Sequence, residues 1–259
     1  MRKLIVILAL ALLLAGCAAG GPGKAATPPI PETTGPTLPP NPYGPMDFGG
    51  EENALVCLSG PYLRGIDISH WQGDVDWQQV KAAGVEFVIL RLGQRGAEQG
   101  LLTADTRAQE YYEGARAAGL KIGAYFFSQA VTPEEAVEEA QFALSIMDGW
   151  TLDMPLAYDW EQYAQNGRTN QVTGDMLTQC TLAFCETVAQ AGFTPMVYFN
   201  KDQARRIDLL ALADYEFWFA MYESEMDYPH RINMWQFSAK GSIPGITGDV
   251  DMNLYFLYQ

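Results

Sequence analysis

Residues 154–161 read Met-Pro-Leu-Ala-Tyr-Asp-Trp-Glu. An apolar run opened by a proline has the character of a short buried strand, yet it ends in two acids, Asp159 and Glu161. On an extended chain, residues i and i+2 face the same way with their Cα atoms about 6–7 Å apart. Both carboxylates therefore point to one side at the end of a strand whose body lies inside the protein. The rest of the chain says what kind of sheet that strand joins.

Apolar strands alternate with amphipathic helices on both sides of this stretch. A first strand near Leu63 carries Arg64-Gly65-Ile66-Asp67-Ile68-Ser69, and a helix over residues 75–83 stops at Gly84. Strand 87–92 (FVILRL), helix 106–118, strand 122–127 (IGAYFF) and helix 133–147 follow. In that last helix Thr132 is the expected N-cap and Pro133 the first helical residue. After strand 155–158 come helix 174–191, strand 195–199 (PMVYF), segment 207–213, strand 216–220 and strand 233–237. Strands and helices in alternation with short glycine-bounded connections predict parallel βαβ units. Enough of them occur to close an α/β barrel. Late connections such as 221–231 look too short or too polar for full crossover helices. The expected fold is therefore an irregular, TIM-barrel-like (β/α) barrel, with its active site at the C-terminal ends of the strands.

At 259 residues and 48% hydrophobic content, one large domain plus appendages is expected. The formal charge of −15, with 31 acidic against 16 basic residues, speaks against a nucleic-acid partner, which requires clustered Lys and Arg. The chain opens MRKLIVILALALLLAGC: two basic residues, an apolar run shorter than the roughly 20 residues that span a bilayer, then small residues before Cys17. Leu14-Ala15-Gly16-Cys17 resembles the bacterial lipoprotein box. That resemblance implies a leader over residues 1–16, lipidation of Cys17, and a membrane-anchored, extracytoplasmic protein facing the cell wall. Nine of the fifteen prolines fall between residues 18 and 50. Residues 17–60 are accordingly expected as a lipidated linker with an extended stretch that does not pack, and residues 61–259 as the folded domain.

Read in order, the strand ends present Asp67; Arg91; Tyr125 with Phe127; Asp159 with Glu161; Tyr198 with Asn200; Trp218 with Tyr222; and Trp235 with Gln236. Paired carboxyls suit glycoside hydrolysis, in which one acid protonates the leaving oxygen and a second carboxylate supports the cationic sugar. Burial and a neighbouring negative charge would raise one pKa, and the longer Glu161 is assigned that role. Arg91, Tyr125, Tyr198, Asn200, Trp218, Tyr222, Trp235 and Gln236 are candidate substrate contacts, whereas Phe126 and Phe219 are expected to be barrel packing.

Seven segments in order carry a resemblance to the family 25 glycoside hydrolases, the Chalaropsis-type lysozymes. They are GIDISHWQGDVDW, FVILRLGQRG, IGAYFFSQAVTPEEAVEEAQFAL, PLAYDWE, PMVYFN, FWFAMY and MWQFSAKGSIPGITGDVDMN, running from about residue 63 to the C-terminus. The resemblance implies a β-1,4-N-acetylmuramidase acting on peptidoglycan. It places the general acid on Glu161 and gives Asp159 the role of oxocarbenium stabiliser or orienter of the 2-acetamido group. Asp67 and Asp251 become supporting acids, with Asp249 the alternative to Asp251. Net retention is implied if the acetamido group assists. Many relatives carry Tyr-His-Phe where this chain has Tyr125-Phe126-Phe127, which puts in question any contact the imidazole makes.

His70 and His230 are the sole histidines. For His70 a structural hydrogen bond near the first strand is expected. Cys180 and Cys185, five apart on one helix, are not positioned to bridge each other, and Cys57 is either paired with one of them or a buried thiol. No metal-ligand spacing, phosphate loop or dinucleotide fingerprint occurs, so no metal or cofactor is expected, and the chain is expected to be monomeric. Two rival readings remain: a silent peptidoglycan-binding module, and a metal-dependent barrel hydrolase of another bond.

Overall fold

The computed structural model describes residues 37–51, 54–162, 167–223 and 225–258. Cys17 and the leader lie outside the described residues. In chain order the elements are β1 (Phe48–Gly49), β2 (Val56–Cys57), β3 (Tyr62–Ile68), α1 (Trp77–Ala82), β4 (Phe87–Arg95), β5 (Leu102–Ala104), α2 (Ala108–Ala117) and β6 (Lys121–Ser128). They continue with α3 (Pro133–Ile146), β7 (Leu156–Trp160), α4 (Gly174–Gln190), β8 (Pro195–Asn200), α5 (Lys201–Ala204), β9 (Glu216–Ala220), β10 (Met234–Gly241) and β11 (Val250–Phe256). The caps follow the sequence: Thr132 accepts from the Glu135 N–H ahead of α3, and Asp76 accepts from Gln78 and Gln79 ahead of α1.

Eight strands form a barrel-like sheet in the order β3-β11-β10-β9-β8-β7-β6-β4, closed by a parallel β3–β4 pairing. From β3 through β4, β6, β7, β8 and β9 to β10 every neighbouring pair is parallel. β11 is antiparallel to both β10 and β3. The sequence reading treated residues 250–256 as a site segment and not as a strand. β11 is what closes the barrel, because the last parallel unit has no crossover helix: β10 returns directly through residues 242–249. Segment 207–213 forms turns, not a regular element.

Side chains divide by the period of two. One buried cluster, including Phe87, Ile89, Met154, Ala157, Met196, Trp218 and Met234, fills the barrel, and a larger one lies between the sheet and the helices. Two glycines make room inside: a Cβ at Gly65 would sit 2.4 Å from the Phe87 ring, and one at Gly123 would sit 2.6 Å from Ile89 Cδ1.

One expectation is corrected. The expectation that the chain up to about residue 50 does not pack fails for residues 37–50, which lie against the outer face of β10 and β11, where no helix among the described residues covers the sheet. Phe48 packs edge-on against Trp235 at 4.9 Å, and Tyr43 meets Phe256 at 5.0 Å. The Asn41 N–H donates to Pro229 O at 2.9 Å and the Arg231 N–H to Pro39 O at 2.8 Å. The few aromatics in this proline-rich stretch suffice because they meet a bare apolar sheet. Cys57, Cys180 and Cys185 are buried free thiols.

Candidate active site

At the C-terminal ends of the parallel strands the inward positions switch from apolar to acidic, and they line a cavity of about 240 Å³. Asp67 (β3), Arg91 (β4), Tyr125 (β6), Asp159 and Glu161 (end of β7), Tyr198 (β8), Trp218 (β9), Tyr222, Gln236 (β10) and Asp251 (β11) all line it. The register explains the convergence, since Asp67 lies opposite Asp251 and Asp159 opposite Tyr198.

Asp67 is buried, and two side-chain amides hold it. Gln236 Nε2 and Asn253 Nδ2 donate to its Oδ2 at 2.9 and 2.7 Å. Each amide is oriented by donors at its other end. Gln236 Oε1 accepts from Tyr198 and Tyr222 hydroxyls at 3.2 and 2.7 Å, and Asn253 Oδ1 accepts from Trp218 Nε1 at 2.9 Å. Burial pushes the Asp67 pKa up to about 6 against the lowering effect of these bonds. Asp251 hydrogen-bonds to Asp67, and burial followed by the Asp67 charge lifts its carboxyl to about 9. Asp251 is thus the donor of that pair at neutral pH and Asp67 the acceptor.

Asp159 and Glu161 form a second pair. Burial, then the charges of Glu161 and Asp67, raises Asp159 well above the usual range. Glu161 is raised mainly by burial, while its hydrogen bond from Asp159 pulls it down. Burial raises both carboxyls, so elevation does not single out Glu161, and the pair shares a proton across its hydrogen bond. Among the described residues, the buried Asp159 Oδ1 has no hydrogen-bond partner.

Beyond the end of β7 the ladder stops, and two glutamines take its place. Gln203 Nε2 donates to Trp160 O and Gln129 Nε2 to Glu161 O, both at 2.6 Å. The peptide units on either side of Glu161 are thereby gripped from two elements.

Comparison with known proteins adds the lineage. Residues 66–246 match the family model "Glycosyl hydrolases family 25". The chain belongs to glycosyl hydrolase family 25. It is 31% identical over 196 residues to an autolytic lysozyme of Clostridium acetobutylicum, covering 74% of this chain and 55% of that protein. Lysozyme M1 of Streptomyces globisporus is 27% identical over 223 residues, covering 81% of this chain and 73% of the relative. The crystal structure of a bacterial lysozyme from Streptomyces coelicolor superposes with a TM-score of 0.62 at 26% identity, covering 76% of this chain and 92% of that one. The chain thus spans about half the length of the first of these relatives.

Within this family 25 barrel, most of the sequence-derived residues converge and two do not. Trp235 is turned away: it is fully buried in the outer layer, and its Nε1 donates to Met221 O at 2.8 Å. Adjacent strand residues face opposite ways, so with Gln236 in the cavity Trp235 cannot be. Asn200 Oδ1 caps α5, accepting from Asp202 and Gln203 N–H at 2.9 and 3.1 Å, and its side chain borders a neighbouring cleft of about 360 Å³. Asp249 is exposed and outside the cavity, whereas Asp251 lines it. Phe126 is fully buried against Phe142 of α3, so a side chain at this position faces the helices and not the cavity. His70 makes the structural contact expected of it, with Nδ1 3.1 Å from Asp105. The sequence reading passed over Asn253, Trp71 and Gln72. Asn253 was available from parity, two residues after Asp251. Among the described residues, no group of three or more His, Cys, Asp or Glu side chains is arranged to hold a metal ion.

Proposed function

We propose that the protein is a peptidoglycan hydrolase that cleaves the β-1,4 bond between N-acetylmuramic acid and N-acetylglucosamine. The observation that carries this reading is the hydrogen-bonded Asp159–Glu161 pair at the mouth of a family 25 barrel, beside a second pair that keeps negative charge on Asp67. Glu161 borders the cavity and the adjoining cleft, where a bridging oxygen would lie. The proton the pair shares is delivered to the leaving oxygen by Glu161, and Asp159 is left as its hydrogen-bond partner. The unpartnered Oδ1 of Asp159 is an acceptor suited to a 2-acetamido N–H. Orienting that group aims its carbonyl oxygen at the anomeric carbon, and water then opens the cyclic intermediate with net retention. Asp67, ionised, raises the proton affinity of both catalytic acids.

Tyr125, Tyr198 and Tyr222 supply aromatic and hydroxyl contacts to the sugar, and Trp218 and Gln236 support the site from beneath. Arg91, bonded to Asp105, acts through that partner. The protein works without a cofactor, as a monomer, outside the cytoplasm. Residues 1–16 act as a leader, and lipid on Cys17 tethers the enzyme to the membrane; labelling with a fatty acid would be lost in Cys17→Ala. The function is tested by incubating purified peptidoglycan with the protein. Soluble muropeptides should appear with or without EDTA. Release abolished by EDTA would point instead to metal-dependent hydrolysis, and sedimentation with the wall without release would point to a binding module.

A further inference from the structure

Five of the six tryptophans are at most 9% exposed; Trp71 is 76% exposed and lines the acid cavity. What sets this exposed aromatic apart is its place: it lines the cavity of the acids, where an open indole face can take the apolar face of a ligand. This one is also held still. Its ring leans on His70 at 4.5 Å and 33°. His70 Nδ1 is fixed between Arg91 Nη2 at 2.5 Å and Asp105 Oδ2 at 3.1 Å. Asp105 is itself buried, accepting from Arg91 Nε at 2.9 Å and the His70 N–H at 3.1 Å. On the other side Gln72 accepts from the Ser69 N–H at 2.9 Å and donates to Asp249 O at 3.2 Å. A buried ion pair thus braces an exposed ring whose outer face is open.

The barrel order fixes where that ring sits. β3, which precedes Trp71, and β8, which precedes Lys201, are four strands apart in either direction around the eight-stranded sheet. Trp71 therefore stands across the mouth from the second cleft, which shares Glu161, Tyr198 and Tyr222 with the acid cavity and is lined also by Lys201. We infer that Trp71 is a sugar-stacking platform at the far end of one continuous groove, binding a pyranose of the glycan strand on the opposite side of the acids from the Lys201 cleft. The apolar face of the sugar packs flat on the indole, and the enzyme grips a chain running across the barrel mouth, so that short glycans that do not reach Trp71 bind more weakly. This rests on the muramidase reading above.

The test uses the protein carrying Glu161→Gln, so that the glycan stays intact, and reads tryptophan fluorescence quenching by acrylamide. With the other five indoles buried, quenching reports on Trp71, and Trp71→Phe in the same background serves as the control. Soluble peptidoglycan glycans of increasing length are added, and their binding is measured in parallel by calorimetry. Long glycans should bind and shield the fluorescence while a disaccharide does not, and Trp71→Ala should weaken long-glycan binding by about 3- to 10-fold. Long glycans that bind equally well to Trp71→Ala and leave quenching unchanged would overturn the platform while sparing the muramidase reading. Absence of binding by any glycan would overturn both.

Discussion

Replacing Gln236 by Met would test how the buried acids are kept at different protonation states. The substitution keeps the shape but removes the 2.9 Å donor to Asp67 Oδ2. A hydrogen bond to a charged group contributes about 1.5–3 kcal/mol, and one pKa unit corresponds to about 1.4 kcal/mol. The bond favours the ionised form, so its loss should raise the Asp67 pKa from about 6 by roughly one to two units. If ionised Asp67 is required, the acidic limb of the pH profile of kcat/KM moves up by the same amount. At pH 6 the variant should keep between about a fifth and about a fiftieth of the wild-type value. Stability carries the same sign. The folded pKa of Asp67 lies above its ordinary value, so its contribution is fully present at low pH and is lost as pH rises through about 6. In the variant that loss deepens and extends to higher pH. The assay is peptidoglycan clearing across pH, with urea unfolding at acid and mildly alkaline pH alongside. A uniform drop in activity with the acidic limb unmoved would refute the reasoning.

Two further outcomes follow from the packing. Gln129→Met and Gln203→Met each free a carbonyl beside Glu161, and misplacing a catalytic group costs up to about 100-fold in rate, so kcat should fall roughly 10- to 100-fold with KM little changed. A rise in KM at constant kcat would show that the glutamines serve binding and not position. A chain beginning at residue 61 loses the packing of Tyr43 and Phe48 on Phe256 and Trp235. Both rings are half-buried, so at about half of the 1.5–3 kcal/mol of a fully buried aromatic each, urea unfolding should show a loss of roughly 1.5–3 kcal/mol relative to a chain beginning at residue 37. Equal midpoints would show that the N-terminal segment is dispensable.

The α/β architecture was legible because buried parallel strands and amphipathic helices carry different periods, and glycines and caps mark their ends. The convergence of Asp67, Asp159, Glu161 and Asp251 was legible because the C-terminal ends of parallel strands meet at one mouth. Antiparallel closure by β11 was not. Val250–Phe256 is buried at five of its seven positions, close to the near-continuous burial of the parallel strands, and direction depends on what the preceding loop allows. Trp235 was misplaced because proximity to a strand end was read without parity, which also settles Phe126. The packing of residues 37–50 was hidden by their prolines. Its anchors, Tyr43 and Phe48, have no local pattern and find partners only on the finished barrel. The brace beneath Trp71 joins residues 70, 91 and 105 from three segments, and no local spacing announces it.

The most direct test of the central claim is the identity of the new sugar end. Peptidoglycan digested by the protein, and in parallel by Glu161→Gln, is reduced with borohydride and its fragments analysed by mass spectrometry. The account predicts reduced N-acetylmuramic acid termini from the wild type and none from the variant. Reduced N-acetylglucosamine termini, or undiminished cleavage by Glu161→Gln, would contradict it.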